Sequence, residues 1–289
     1  MEKNITGLKK SSKIKEVMGR LVENKTAMLG LAILVVEVII ALVGWFWTPY
    51  GWETMDFSQM YATPSWTHPF GCDEFGRDIL SRLMYGARYS LVIGLGTTAV
   101  SVVIGIVIGS IAGFFGGVVD DVIMRLLDII QAIPAMLLAV AISAVFGTGF
   151  DKCIIAIALS SAPATVRLLR ASIMTVRKTE YIEAATAIGA SRFRIIIKHV
   201  LPNSLSPLIV NATMSVGTSI IMAAGLSYMG LGVQAPNPEW GAMLSGSRAY
   251  IRDYPHMVLF PGLTIMITVL ALNMLGDGLR DAMDPKLKR

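Results

Sequence analysis

The sequence predicts an all-α polytopic membrane protein with six transmembrane helices, and three observations carry that prediction. Hydrophobic residues make up 54% of the 289 residues and charged ones 16%, with a mean hydropathy of +0.63. That balance excludes an ordinary soluble domain. Apolar runs approaching the ~20 residues needed to cross a hydrocarbon core recur along the chain. Lysine and arginine are unevenly shared between the segments that connect those runs. With the amino terminus inside, 19 of the 25 fall on one side. Arg77, Arg82, Arg88, Lys152, Arg248 and Arg252 are the minority on the other. The positive-inside rule then places both termini in the cytoplasm. The net charge of +5 is accounted for by topology, without a nucleic-acid partner.

Residues 1–26 form a basic, amphiphilic cytoplasmic tail, and 27–87 hold the first span (27–47) and an external loop. The 26 mostly polar residues before the first span, its length and the lack of a small-residue cleavage site predict a retained anchor rather than a signal peptide. Residues 48–88 are rich in aromatics, Pro and Gly. The stretch His68-Pro69-Phe70-Gly71-Cys72-Asp73-Glu74-Phe75-Gly76-Arg77-Asp78 reads as a structured loop capped by acids, and 79–85 as a short amphipathic helix. The second span, 89–115, carries Gly105, Gly109 and Gly113 at four-residue intervals, the spacing that lets helix backbones pack closely in lipid. The third, 126–146, contains Pro134, which predicts a kink. At its cytoplasmic end Arg125 is spaced to pair with Asp121 and Asp128 along one helix. The fourth, 153–166 with its flanks, is the weakest, because Ser160, Ser161, Pro163 and Thr165 interrupt it; without it the count is five. The fifth and sixth are 205–231 and 256–275. Cys72 and Cys153 have no paired spacing, so neither a disulfide framework nor a zinc site is expected.

Between the fourth and fifth spans lies a polar hairpin at 175–203, the most informative local feature. Tyr181, Ala184, Ala185 and Ile188 recur at i, i+3, i+4, i+7, one helical stripe kept small by its alanines. Gly189 suits the left-handed position that ends a helix, and Ser191 is placed to cap the next. Phe193, Ile196, Ile197 and Val200 repeat the stripe until Pro202. Two short helices joined at a glycine predict a compact knob with one apolar face.

The segment Glu180-Tyr181-Ile182-Glu183-Ala184-Ala185 through Gly189 resembles the EAA loop of ABC-importer permeases. Three further stretches point the same way: 68–88, Leu231-Gly232-Val233-Gln234-Ala235-Pro236-Asn237-Pro238-Glu239-Trp240-Gly241 with its continuation to 244, and 273–285. Together they resemble the dipeptide/oligopeptide permeases of the C-subunit type over nearly the whole chain. The resemblance implies a type I ABC importer permease core of five helices at 88–277, an added amino-terminal helix, and a cytoplasmic tail at 278–289. It implies a prokaryotic cell membrane location and a peptide substrate, with nickel, glutathione or opine-type compounds as alternatives in the same branch. It also implies a homologous second permease, two cytoplasmic ATPases and an extracytoplasmic substrate-binding protein. Glu183, Ala184, Ala185 and Gly189 are the expected ATPase-coupling residues, with Tyr181, Ile188 and Phe193 supporting contact. His199 stands where the general pattern has an isoleucine.

No phosphate-binding Gly-x-x-x-x-Gly-Lys-Ser/Thr loop occurs, so ATP and Mg are expected in the partner subunits and no cofactor in this chain. His68, His199 and His256 are isolated, which predicts no metal site, and no nucleophile–base constellation suggests an enzyme. The seventeen methionines read as packing residues. Glu37, at the middle of the first span, costs roughly 2.5–3.5 kcal/mol on insertion scales. Two readings compete for it: a protonated carboxyl hydrogen-bonded to a neighbour in the assembled complex, and a proton or substrate site, which in an ion-coupled secondary transporter forms a relay with Asp128. The first is expected, because peptide importers are driven by ATP and the first span is peripheral to the core.

Overall fold

The computed structural model describes residues 13–284, and among these every regular element is helical. The outermost parts of the two predicted tails lie outside the described residues. A short amphipathic helix α1 (Lys13–Glu23) leads into α2 (Lys25–Phe46), which starts where the Asn24 side chain accepts from the backbone N–H groups of Thr26 and Ala27. That cap satisfies donors that lipid cannot. A loop stapled by aromatic pairs follows. Trp52 stacks on Tyr85 at 4.2 Å, Phe70 on Phe260 at 4.1 Å and Tyr61 on Tyr254 at 4.4 Å.

The longest helix, α3, runs from Ile79 to Phe115. The predicted amphipathic helix and second span are therefore one continuous element, because nothing between Tyr85 and Tyr89 breaks the backbone ladder. It is capped by Asp78, whose carboxylate also meets Nδ1 of His68 at 2.9 Å. Gly116 and Gly117, at φ +65° and +55°, turn the chain into α4 (Gly117–Gln131). This helix does not merely kink at the proline. It ends, and α5 (Ala135–Phe146) leaves at 86° to it. Pro134 lacks an N–H and its ring disfavours a helical residue before it, so the ladder is lost across 132–134.

Helix α6 (Phe150–Arg177) runs unbroken through Pro163, so the weakest predicted span is a full-length helix. The short helices α7 (Glu180–Ala187) and α8 (Arg192–Ile195) form the hairpin, and one π turn at Ile196–Val200 carries α8 into α9 (Leu201–Tyr228). Pro202 therefore does not close the hairpin: the helix runs on from Arg192 to Tyr228, and the π turn directly before the proline is the kind of local irregularity that absorbs a missing N–H. A helix of two turns, α10 (Trp240–Ser247), and α11 (His256–Met283) complete the chain.

The packing fixes the topology. Gly96 of α3 faces Ile154 of α6, Gly105 faces Thr165, and Gly113 faces Arg170 and Ile173, so α3 and α6 run parallel. Two parallel neighbouring spans require the intervening chain to recross the bilayer, and α4 with α5 is therefore one broken span. A methyl added at Gly105 would lie 2.6 Å from Thr165 Cγ2, and one at Gly109 2.9 Å from the Val166 carbonyl oxygen. The two backbones touch at these positions. Helices α2 and α11 are antiparallel, with Ala27 against Gly278 and Gly30 against Ala271. The start of α2, the α7–α8 hairpin and the end of α11 thus share one end of the bundle, the end with the larger share of basic residues.

Candidate functional site

Where α4 and α5 part, a cavity of about 560 Å³ opens in the middle of the bundle. Thr98 and Ser101 reach it from α3, Gln131 and Pro134 from the break, Ser160, Ser161 and Thr165 from α6, and Asn211, Ser215 and Thr218 from α9. No ionisable side chain lines it. Ser101 Oγ donates to the Ala158 carbonyl at 3.0 Å and lies 2.9 Å from Ser161 Oγ. The Thr98 hydroxyl is buried with no protein partner. Chemically this is a surface of neutral donors and acceptors, fit to exchange hydrogen bonds with an uncharged polar group and without a counter-ion to trap a charged one.

Immediately beyond the cavity, toward the hairpin, α4 and α6 are joined by ions. Arg170 grips Asp120 through Nε and a terminal nitrogen, and Arg167 meets Asp128. These pairings replace the predicted ones within α4. Arg125 makes no ion pair with Asp121 or Asp128; Asp128 turns instead toward Arg167 of α6.

The hairpin is built around an inner core that the sequence stripe did not anticipate. Ile182, Ile195 and Val200 are buried with Leu169, Ile173 and Leu208, and Ala185 packs half-buried against them. Tyr181, Ala184 and Ile188 point outward, so the predicted single stripe is divided between two faces. Gly189 has φ +76° with open space where a Cβ would be, and Ser191 caps α8 by accepting from Arg194 N–H at 3.4 Å. Glu183 is exposed beside Ala184. Ile188 is 85% and Phe193 75% exposed, with Ile197 also bare. Ile188, Phe193 and Ile197 thus form an exposed apolar patch at the tip of the knob.

At the opposite end, Glu239 is fully buried and joins three helices. Its Oε1 accepts from Ser90 Oγ at 3.1 Å and Gly241 N–H at 2.8 Å; its Oε2 accepts from Ser227 Oγ at 2.9 Å and Ala242 N–H at 2.8 Å. Trp240 adds a bond from its indole N–H to the Leu83 carbonyl at 3.1 Å. Together these bonds fix α10 against α3 and α9. In the loop below, the Cys72 thiol is pushed up to about 11, by burial first and then by the nearby Asp78, Asp73 and Asp56, which keeps it unreactive. Both cysteines are free, and no group of three metal-ligating side chains occurs among the described residues. Glu37 Oε1 accepts from Thr268 Oγ1 at 2.9 Å. Thr268 lies on α11 of the same chain, the second carboxyl oxygen of Glu37 is buried with no hydrogen-bond partner within the chain, and Asp128 is engaged by Arg167.

Sequence reasoning missed Glu239, Ser90, Ser227 and all of the cavity residues. The cavity had a signal: within otherwise apolar spans, Thr98 and Ser101, Ser161 and Thr165, and Asn211, Ser215 and Thr218 recur at helical spacing. Glu239 had none beyond its neighbours, because an acid in a loop reads as exposed.

Residues 105–289 match the family described as binding-protein-dependent transport system inner membrane component, and 12–64 match the N-terminal TM domain of oligopeptide transport permease C. The chain is 46% identical to the dipeptide transport system permease protein DppC of Alkalihalophilus pseudofirmus, over 95% of this chain and 90% of that protein. It is also 46% identical to the di/tripeptide permease protein DppC of Pseudomonas aeruginosa, over 96% and 93%. Against the glutathione transport system permease protein GsiD of Escherichia coli O157:H7 it is again 46% identical, over 91% and 87%. Among solved structures, the inward-facing MetNI methionine ABC transporter shares the fold, with a TM-score of 0.58 and 21% identity over 70% of this chain and 96% of that one. By these matches the chain belongs to the binding-protein-dependent transport system inner membrane component family and is a permease subunit of an ABC importer.

Proposed function

We propose that this permease carries short peptides, and that the cavity at the α4–α5 break is its half of their path. The observation that carries the substrate reading is the 46% identity, over 95% of the chain, to a dipeptide permease. The cavity's chemistry fits it: hydroxyl and amide groups match the peptide unit that all substrates share and favour no particular side chain. A polar mid-membrane groove faces water or protein, not lipid. A homologous second permease supplies the other wall.

The knob at 178–200 is the coupling element, with Ile188, Phe193 and Tyr181 seated on a cytoplasmic ATPase and Glu183, Ala184 and Gly189 shaping the contact. Ala185 supports the knob from within. Two such ATPases bind ATP and Mg, and this chain supplies movement rather than hydrolysis. An extracytoplasmic binding protein delivers substrate at the α10 end. The bias of basic residues supports an inner-membrane orientation with both termini and the hairpin in the cytoplasm.

The test is uptake into proteoliposomes holding the four-subunit complex and its binding protein. Labelled di- and tripeptides accumulate with ATP inside the cytoplasmic-side compartment and not with a proton gradient alone. Accumulation driven by the gradient without ATP contradicts the reading. A second reading, glutathione as the preferred substrate, is favoured by the 46% identity to GsiD; glutathione that outcompetes di- and tripeptides in the same assay selects it.

A further inference from the structure

Helix α4 is attached to the bundle in an unusual way. Of its fifteen residues only Asp120 and Leu127 are buried, and Val118, Val122, Leu126 and Ile129 face outward. It is cut from α5 by the break at Pro134, and the glycine pair at 116–117 softens its join to α3. Besides the buried Leu127 and packing against α3, two ion pairs hold it inward: Asp120 to Arg170 near its start and Asp128 to Arg167 near its end. Both arginines sit on α6, which ends at Arg177 and passes into the hairpin through Lys178 and Thr179. The far end of α4 forms the cavity wall at Ile130 and Gln131.

We infer that the two ion pairs strap α4 to α6, so that displacement of the hairpin moves α4 about the 132–134 break and resets the cavity wall. Two attachments eight residues apart fix both the tilt and the rotation of a short helix, which one does not. A rod joined to α6 at both ends and hinged at the cavity follows α6 as a body. Asp120, Asp128, Arg167 and Arg170 are positioning residues in this scheme; they touch no substrate. The inference rests on the reading of the cavity as a transport path and names the part that regulates it.

The experiment measures peptide taken up per ATP hydrolysed by the reconstituted complex, for Asp128→Arg, Arg167→Asp and the exchanged pair Asp128→Arg/Arg167→Asp. Each single variant sets like charges together and lowers the ratio about tenfold, equivalent to roughly 1.4 kcal/mol; the exchanged pair restores it to within about threefold of wild type. Restoration marks a role for the pairing itself, which loss of folding does not imitate. Spin labels at Val122→Cys and Leu137→Cys, on the bare faces of α4 and α5, report the hinge: their separation shifts on nucleotide binding in the wild type and not in Arg167→Asp. Single variants that transport at the wild-type ratio overturn the inference, as does passive peptide leak without ATP, which makes the pairs a barrier rather than a strap. A wild-type complex that takes up no peptide refutes the transport-path reading instead, so the two failures are separable.

Discussion

Removing the Glu239 carboxyl tests how the outer end of the bundle is held. Each oxygen of Glu239 accepts two hydrogen bonds, one from a serine hydroxyl and one from a backbone N–H of α10. In Glu239→Gln one oxygen becomes an NH2 group. The serine opposite it can rotate to accept, but the backbone N–H of Gly241 or Ala242 cannot. One buried donor is left unmet, at a cost of about 1–3 kcal/mol. Glu239→Ala removes the cap of α10, which consists of its bonds from the Gly241 and Ala242 N–H groups, and leaves those two donors unmet at about 1–3 kcal/mol each. A loss of roughly 3–4 kcal/mol follows, at the upper end of single-residue effects. Thermal unfolding of the purified protein in detergent, followed by the fluorescence of Trp240 and its neighbours, checks it. The midpoint falls in the order wild type, Gln, Ala, and Glu239→Asp, too short to reach both serines, lies below wild type as well. An Ala variant as stable as wild type refutes the reasoning, because it means the four donors are satisfied without the carboxyl.

Three further predictions concern other parts of the molecule. Replacing Ile188 and Phe193 together by serine removes up to about 1.5–3 kcal/mol of burial each at an ATPase contact; the complex loses ATPase on affinity purification while the melting midpoint of the isolated permease stays put, because both side chains are bare in it. Gly109→Val drives a side chain into the Val166 carbonyl, 2.9 Å from the first added carbon, and costs more than about 2 kcal/mol, whereas Gly189→Leu leaves membrane packing intact, costs about 1–2 kcal/mol at its left-handed φ and lowers uptake by distorting the hairpin. Glu37→Gln keeps a hydrogen bond to Thr268 and retains peptide uptake in the same proteoliposome assay; loss of uptake with normal assembly makes Glu37 a functional carboxyl.

Much of the fold was legible because lipid simplifies the code. Runs such as 27–47 must be helical, and the basic residues sort the loops. The break at Pro134 was legible as a kink but not as an 86° turn, since its angle is set by how α4 and α5 pack elsewhere. The ion pairs of Asp120 and Asp128 join residues 50 and 39 apart, where local spacing favoured partners within one helix. On the hairpin, periodicity identified apolar residues without telling inward from outward. Ile182, outside the stripe, is core, and Ile188, inside it, is bare. Which face turns inward depends on the direction in which α6 delivers the chain, and that is a tertiary fact.

The proposed coupling role depends most directly on the contact between the hairpin and an ATPase. A photo-activatable amino acid at position 193, at the outward tip of α8, gives that measurement in the intact complex in cells. Irradiation is expected to yield one major adduct, between this chain and a cytoplasmic ATPase, with the same label at the buried position 182 giving none. Labelling of the extracytoplasmic binding protein from position 193, or of lipid alone, would contradict both the orientation and the coupling role.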